Sequence, residues 1–321
     1  MFSAGPLSIV ADIGGTNARF ALSNGVELSP ISYLAVADHP DPISAVKEFL
    51  GQIEAPAHPK KAAFAIAGPV QEGRGSLTNG TWFFDQSDLA RSLNLDQALV
   101  VNDFAAVAMS LPYLAGKDLR QMGGGHVNRN APMAVLGPGT GLGVGGLVPC
   151  GEGWQTIVTE GGHVTMPAVT HREVEVIKCL ASHYGHVSAE RLLSGQGLGN
   201  LFSAIAEVDG LSLEAPAPDV ISKQGLDGSC GVASECLTMF CGMLGTVAGN
   251  LALSMGAQGG VFIAGGIVPR MADFWAASNF RQRFEAKGRF QDYMARIATN
   301  LVTHSDPAFL GLSVGLRDGS Q

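Results

Sequence analysis

The apolar positions fall in short runs that switch between strand-like and helix-like periods, and the switching outlines an α/β chain. Residues 8–12 and 19–23 read as two strands joined by a glycine-bearing turn at 14–18, and 31–36 extends that sheet. Asp41-Pro42 then supplies an N-cap and a proline at the first helical position, with Ile43, Val46, Phe49 and Leu50 on one helical face. Residues 62–67 are an unbroken apolar run, as expected of a strand covered on both sides. A further run, 99–101, ends abruptly in Asn102-Asp103. The order strand, strand, strand, helix, strand, helix, strand predicts an α/β unit with an antiparallel edge.

From Pro112 the chain crosses a polar, glycine-rich segment, 116–130, that reads as a loop or linker into a second unit. There the same grammar restarts: an apolar strand at 133–136, a glycine turn at 137–143 and a second strand through Val148. Gly15-Thr16 and Gly139-Thr140 each sit between two strands, a hint of duplication. Helices are expected around 171–184, 189–193, 198–208 and 235–255, then a strand at 260–264. The terminal segment 307–316 reads as a helix returning to the first unit. At ~150 residues per domain, 321 residues suit two domains: a small one of 1–110 plus 304–321 and a large one of 111–303.

Between Cys236 and Pro269 no residue is charged, and Gly245 and Gly249 form a G-x-x-x-G, so a membrane helix has to be weighed. Gly256, Gly259 and Gly260 interrupt the run and Asn250 and Gln258 are polar, which favours a buried core helix followed by a strand.

Composition narrows the function classes. A net charge of −8 disfavours a nucleic-acid partner held mainly through its phosphates. Five cysteines with no C-x-x-C pair favour neither a zinc ribbon nor a disulfide scaffold, and read as free buried thiols of a reducing compartment. Residues 1–10 lack a basic start and a long apolar stretch, so no secretory leader is expected and the cytoplasm is the default. Glycine is the anomaly: 43 of 321 residues, about 13% against the usual ~7%, with no collagen period.

Several familiar motifs fail on context. Residues 311–315 fit G-x-S-x-G, but no histidine follows the serine. Residues 141–146 fit G-x-G-x-x-G, yet strand-like rather than helical residues follow, and no P-loop sequence occurs. More specific is Asp12-Ile13-Gly14-Gly15-Thr16-Asn17, where a carboxylate ends a buried strand and two glycines let backbone N–H groups approach an anion. A carboxylate beside such a nest would repel phosphate unless a divalent cation lay between them, which suggests a magnesium nucleotide. Alone, the motif fits an ordinary hairpin turn equally well. The alternate glycines Gly137, Gly139, Gly141 and Gly143 add a second phosphate-sized cradle and shift that balance towards a nucleotide held between two units.

Three polar clusters follow apolar segments: Asn102-Asp103, Glu160-Gly161-Gly162-His163, and Glu190 at an expected helix start. Carboxylates, an amide and an imidazole suit the hydroxyls of a sugar, each of which both donates and accepts. Taken singly, Glu190 fits a helix-start carboxylate and His163 a hydrogen-bonded core histidine.

At these residues the chain resembles the bacterial glucokinases, the non-zinc branch of the hexokinase and actin-like sugar kinase superfamily. The likeness runs through V-A-D-I-G-G-T-N-A-R-F from Val10, L-T-N-G-T-W from Leu77, V-N-D-F-A-A-V-A from Val101 and G-P-G-T-G-L-G-V from Gly137. It continues in E-G-G-H-V from Glu160, G-H-V-S-A-E-R-L-L-S-G from Gly185 and G-G-V-F-I-A-G-G-I-V-P-R from Gly259. The resemblance implies a two-domain actin-like ATPase (ribonuclease H-like) fold with an interdomain active-site cleft, and ATP-dependent phosphorylation of the D-glucose 6-hydroxyl. It assigns Asp12, Gly14, Gly15, Thr16 and Asn17, with Gly137, Gly139, Thr140 and Gly141, to the phosphates. Mg²⁺ would be held by Asp12 through water, and Gly265-Gly266 would border the adenosine. Asn102, Asp103, Glu160, His163 and Glu190 would hold glucose, with Asp103 the general base. No cysteine lies between Cys150 and Cys179, where related kinases carry a zinc motif, so no zinc and no structural metal are expected. The resemblance further implies a homodimer. A kinase for another hexose or hexosamine, or an actin-like ATPase without sugar chemistry, are the alternatives.

Overall fold

The computed structural model describes residues 6–25, 27–53 and 58–318; Met1–Gly5, half of the stretch read for a leader, lie outside the described residues. The chain divides into two compact units, one of Met1–Leu114, Leu147–Val158 and Ser305–Gln321, the other of Ala115–Gly146 and Thr159–His304.

The first unit is built on β1 (Ser8–Ile13), β2 (Asn17–Ser23), β3 (Ser32–Ala35), α1 (Pro42–Gln52) and β4 (Lys61–Ile66). Asp41 caps α1 by accepting from the Ser44 N–H, as its sequence predicts. Then come β5 (Val70–Gln71), β6 (Arg74–Ser76), β7 (Phe83–Asp85), α2 (Gln86–Ser92), β8 (Gln97–Asn102) and α3 (Asp103–Ser110). The main sheet has the order β3-β2-β1-β4-β8, with β1 antiparallel to β2 and parallel to β4, and β4 parallel to β8. Strands β5, β6 and β7 form a separate small sheet that hydrophobic periodicity does not register, because two or three residues are too few to show a period.

In the second unit the polar segment 116–130 proves to contain a strand, β9 (Leu119–Gln121), which pairs antiparallel with the edge of the sheet. Its Arg120 and Gln121 are exposed, so an edge strand reads in sequence as a loop. There follow β10 (Met133–Pro138), then β11 (Leu142–Cys150) and β12 (Gly153–Thr159), of which residues 147–158 are counted with the first unit, and then α4 (His171–Tyr184), α5 (Gly195–Val208), α6 (Pro218–Asp227), α7 (Gly231–Met255), β13 (Val261–Ile263), α8 (Ala272–Ala277), α9 (Phe280–Glu285), α10 (Gln291–Ala295) and β14 (Thr299–Val302). The sheet order is β12-β11-β10-β13-β14-β9, so apart from β9 it repeats the order of the first sheet. That shared topology gives the repeated Gly-Thr turn a structural counterpart.

The expected helix at 189–193 is a turn. The Ala189 N–H donates to the Val164 carbonyl at 2.8 Å and the Glu190 N–H to the Gly162 carbonyl at 2.9 Å, which commits these amides to a neighbouring segment. The uncharged run 236–269 resolves into α7 and β13. Among the described residues α7 is the one helix long and apolar enough to cross a membrane, and 78% of its apolar window is buried inside the protein. A methyl at Gly245 would overlap the Phe280 carbonyl, and one at Gly249 would lie 2.6 Å from that of Phe284, so the G-x-x-x-G face seats α9. Buried Glu173 anchors α4 to α9 through Arg283 at 2.7 Å. Burial pushes the Glu173 carboxyl up, but hydrogen bonds from Arg283 and from the Val169 and Thr170 N–H groups leave it below the usual carboxylate value.

Helix α11 (Pro307–Asp318) packs on α3, β4 and β1 of the first unit, as the sequence implied. A methyl at Gly311 would overlap the Ala106 carbonyl of α3, and Gly315 faces Met109, so the G-x-S-x-G match is a helix-packing pattern. Its Ser313 is buried and donates to the Phe309 carbonyl at 2.8 Å. All five cysteines are free, but only Cys236 and Cys241 are buried; Cys179 and Cys230 are half-buried and Cys150 is exposed. Burial pushes the Cys236 and Cys241 thiols up to about 12.

Candidate functional site

In open α/β sheets ligands bind beyond the carboxyl ends of the parallel strands. The register of β1, β4 and β8 aligns Ile13, Ile66 and Asn102 at that edge of the first sheet. Asp12 precedes the turn Gly14–Thr16, closed by the Gly14 N–H donating to the Asn17 carbonyl at 2.9 Å. Asp12 and Arg19 are directly opposed across β1 and β2 and form an ion pair. Arg19 also pairs at 2.8 Å with Asp306, which precedes α11. Burial pulls the Arg19 guanidinium down in pKa, yet the two carboxylates more than offset this and leave it above its ordinary value. Sequence reasoning missed this bridge because Asp306 is 287 positions from Arg19.

Asn102 ends β8 and caps α3: its Oδ1 accepts the Phe104 N–H at 2.9 Å, while its Nδ2 donates to the Gly68 carbonyl at 3.1 Å. An amide nitrogen carries two N–H bonds, so this clamp leaves one for a ligand. Asp103 is the first residue of α3 and half-buried, and its Oδ1 accepts the Phe104 N–H at 2.8 Å. The edge also gathers the segment after the small sheet: a methyl at Gly15 would overlap the Asn79 carbonyl.

The second unit assembles its own set at the carboxyl ends of β10 and β13, which run parallel. Gly137 is the penultimate residue of β10, the Gly139 N–H donates to the Gly141 carbonyl at 2.8 Å, and Thr140 is exposed at the tip. Gly265 follows β13 with φ +78°, and a methyl there would overlap the Pro138 carbonyl. Glu190 is not at a helix start; its Oε2 accepts the Leu142 N–H at 2.9 Å. Its own N–H bonds Gly162, between Glu160 and His163, which are both exposed on a short helical turn. The structure thus ties Glu190 to the glycine turn and to the Glu160–His163 segment. The Gly195 N–H, at the start of α5, donates to the Gly139 carbonyl at 2.8 Å, placing a helix N-terminus beside the turn.

The glycines of the two turns differ in what a side chain would meet. Gly15, Gly141 and Gly265 are closed by the protein's own atoms, whereas nothing lies within 4 Å of a methyl at Gly139 or Gly266. Packing does not require glycine at those two positions, and the space suits an approaching phosphate or nucleoside.

Residues 9–318 match the family model described as Glucokinase. The chain is 51% identical over 308 residues to a glucokinase of Paramagnetospirillum magneticum, covering 95% of this chain and 96% of that one. It is 47% identical over 310 residues to a glucokinase of Aromatoleum aromaticum, covering 96% and 94%. Among solved structures, a glucokinase from an Antarctic psychrotroph superposes with a TM-score of 0.90 at 35% identity, over 98% of this chain and all of that one. A ROK-family glucokinase from Streptomyces griseus, solved with glucose and AMPPNP, shares the fold with a TM-score of 0.66 at 17% identity, over 98% and 100%. The α/β fold is the actin-like ATPase fold of these sugar kinases.

Proposed function

The chain belongs to the glucokinase family, and from that membership and the geometry above we propose that it transfers the γ-phosphoryl group of ATP to the 6-hydroxyl of D-glucose with Asp103 as general base. Asp103 accepts the hydroxyl proton as the sugar oxygen forms its bond to the γ-phosphorus. The bond from that phosphorus to the β-γ bridging oxygen breaks, and ADP leaves with the electron pair. The observation carrying the assignment is the position of Asp103: a half-buried carboxylate opening α3, at the carboxyl edge of a parallel strand, with one oxygen fixed by a backbone N–H.

Backbone N–H groups of Gly14–Asn17 and of Gly139–Gly141, with the N-terminus of α5, stabilise the phosphate charge. Gly265 and Gly266 border the adenosine, where Gly266 leaves open space. Asp12 fits a water-mediated hold on Mg²⁺: it is an oxygen donor whose site already receives a cation, Arg19, and its side chain keeps 21% of its surface exposed. The ion, when bound, neutralises charge on the β- and γ-phosphate oxygens. Asn102, Glu160, His163 and Glu190 bond the sugar hydroxyls, Glu190 being oriented by Leu142. Use of ATP and a free hexose supports a cytoplasmic reaction, and the family resemblance supports a homodimer as the working form, which light scattering of the purified protein tests.

A coupled assay of ADP release across glucose, fructose, mannose and N-acetylhexosamines tests the reading. Glucose should be preferred, and Asp103→Asn should lower kcat ~10²- to 10⁴-fold while the protein remains folded. Preference for another sugar would reassign the substrate, sugar-independent ADP release would favour an ATPase, and near-normal kcat in the variant would remove Asp103 from its role.

A further inference from the structure

Far from these residues in sequence role, helices α4 and α5 bring three metal-competent side chains together. Cys179 and His183 are four apart on α4, hence on one face, and Glu207 is the penultimate residue of α5. Their ligand atoms, the Cys179 Sγ, a His183 ring nitrogen and a Glu207 carboxylate oxygen, all lie within 4.8 Å of one another. His183 Nε2 and Glu207 Oε2 are 3.1 Å apart. Among the described residues this is the one such grouping of three. Nothing in the phosphoryl-transfer scheme uses it.

We propose that Cys179, His183 and Glu207 form a surface binding site for Zn²⁺, with water as the fourth ligand. The donor set carries the choice of ion: a thiolate and an imidazole select borderline-soft divalent metals over Mg²⁺ or Ca²⁺, which take oxygen ligands. Charge agrees, since one thiolate and one carboxylate neutralise a divalent ion. Geometry agrees as well. Tetrahedral zinc with its usual bond lengths separates its ligand atoms by roughly 3.4–3.6 Å, so small side-chain rotations from the observed cluster suffice. All three residues stand on helices of the same unit, which fixes them better than loops would. The site differs in kind from the cysteine-rich zinc motif the sequence lacks: it clips two formed helices together at the surface and is not needed for the fold. The expectation of no zinc rests on the missing motif and does not bear on this site.

Cobalt(II) tests this directly, because a cobalt–thiolate bond gives a near-ultraviolet charge-transfer band that oxygen ligands at a magnesium site cannot produce. Chelator-treated full-length protein should bind one Co²⁺ per chain with that band, Zn²⁺ should displace it, and Zn²⁺ should raise the unfolding temperature. Cys179→Ser should abolish the band, and His183→Gln should weaken Co²⁺ binding at least ~10-fold, the scale set by losing even an outer partner of a metal ligand. Cys150→Ser should leave the band intact, since Cys150 is exposed and outside the cluster. His183 is largely solvent-exposed, so its variant should fold even if Cys179→Ser does not. Absence of a thiolate band in the wild-type protein, or a band unchanged in His183→Gln, would overturn the site.

Discussion

The two glycine turns sit at equivalent places in two sheets of like strand order, yet they are held by different forces. The first adds charge to contact: Gly15 rests on the Asn79 carbonyl, and Asp12 beside the turn shares Arg19 with Asp306. The second is held by contact. Gly265 rests on the Pro138 carbonyl, the Gly195 N–H fixes Gly139, and Glu190 fixes Leu142. One topology thus accommodates two ways of fixing a phosphate-sized loop. The two should respond differently to substitution and to salt.

The contact side should show the largest effect. Gly265→Ala puts a side chain at φ +78° and into the Pro138 carbonyl; left-handed backbone costs about 1–2 kcal/mol and overpacking about 1–3 more. Denaturant unfolding should therefore show a loss of roughly 2–5 kcal/mol, and an unchanged midpoint would mean that contact does not hold the second turn. Gly15→Ala, with an allowed φ but a clash against the Asn79 carbonyl, should cost only the overpacking part, about 1–3 kcal/mol.

These contacts mark how far the sequence was legible. Long apolar runs bounded by turn residues, such as β4 and α7, declare themselves because burial of most of their surface leaves few polar positions to break the run. Strand β9 and the small sheet do not, being short and largely solvated. At the candidate site, Asp12, Asn102 and Glu190 stand out by residue type at the ends of apolar segments, which is a local signal. Their partners Arg19, Gly68 and Leu142 do not, because only folding brings them near: nothing in the sequence marks Asp306 as the second carboxylate on Arg19. Glu190 shows the same limit in reverse. Its residue type suggested a site, but its supposed helix was a turn whose amides bond a segment over twenty residues earlier.

The charge side should yield less in stability and depend on salt. Arg19→Met leaves Asp12 and Asp306 without their shared partner, and for a bridge about a quarter exposed the expected loss is ~1 kcal/mol. That loss should shrink at about 1 M salt, where screening acts over ~3 Å. The loss in Gly265→Ala should not. Equal salt dependence of the two variants would erase the distinction between a turn that adds an ion pair to contact and one held by contact.

The smallest stability effects should come from Gly139→Ala and Gly266→Ala, and they bear most on function. Neither position has a positive φ in the left-handed range, and a methyl at either meets nothing within 4 Å. Surface changes of this kind fall within about ±0.5 kcal/mol. If the space serves only the protein, the variants should behave as the wild type in every assay. If it admits nucleotide, the KM for ATP should rise at least about tenfold, equivalent to ~1.4 kcal/mol, with the KM for glucose little changed. The split between an unmoved unfolding midpoint and a raised ATP KM is what a structural glycine could not produce, since Gly265→Ala and Gly15→Ala should move the midpoint first.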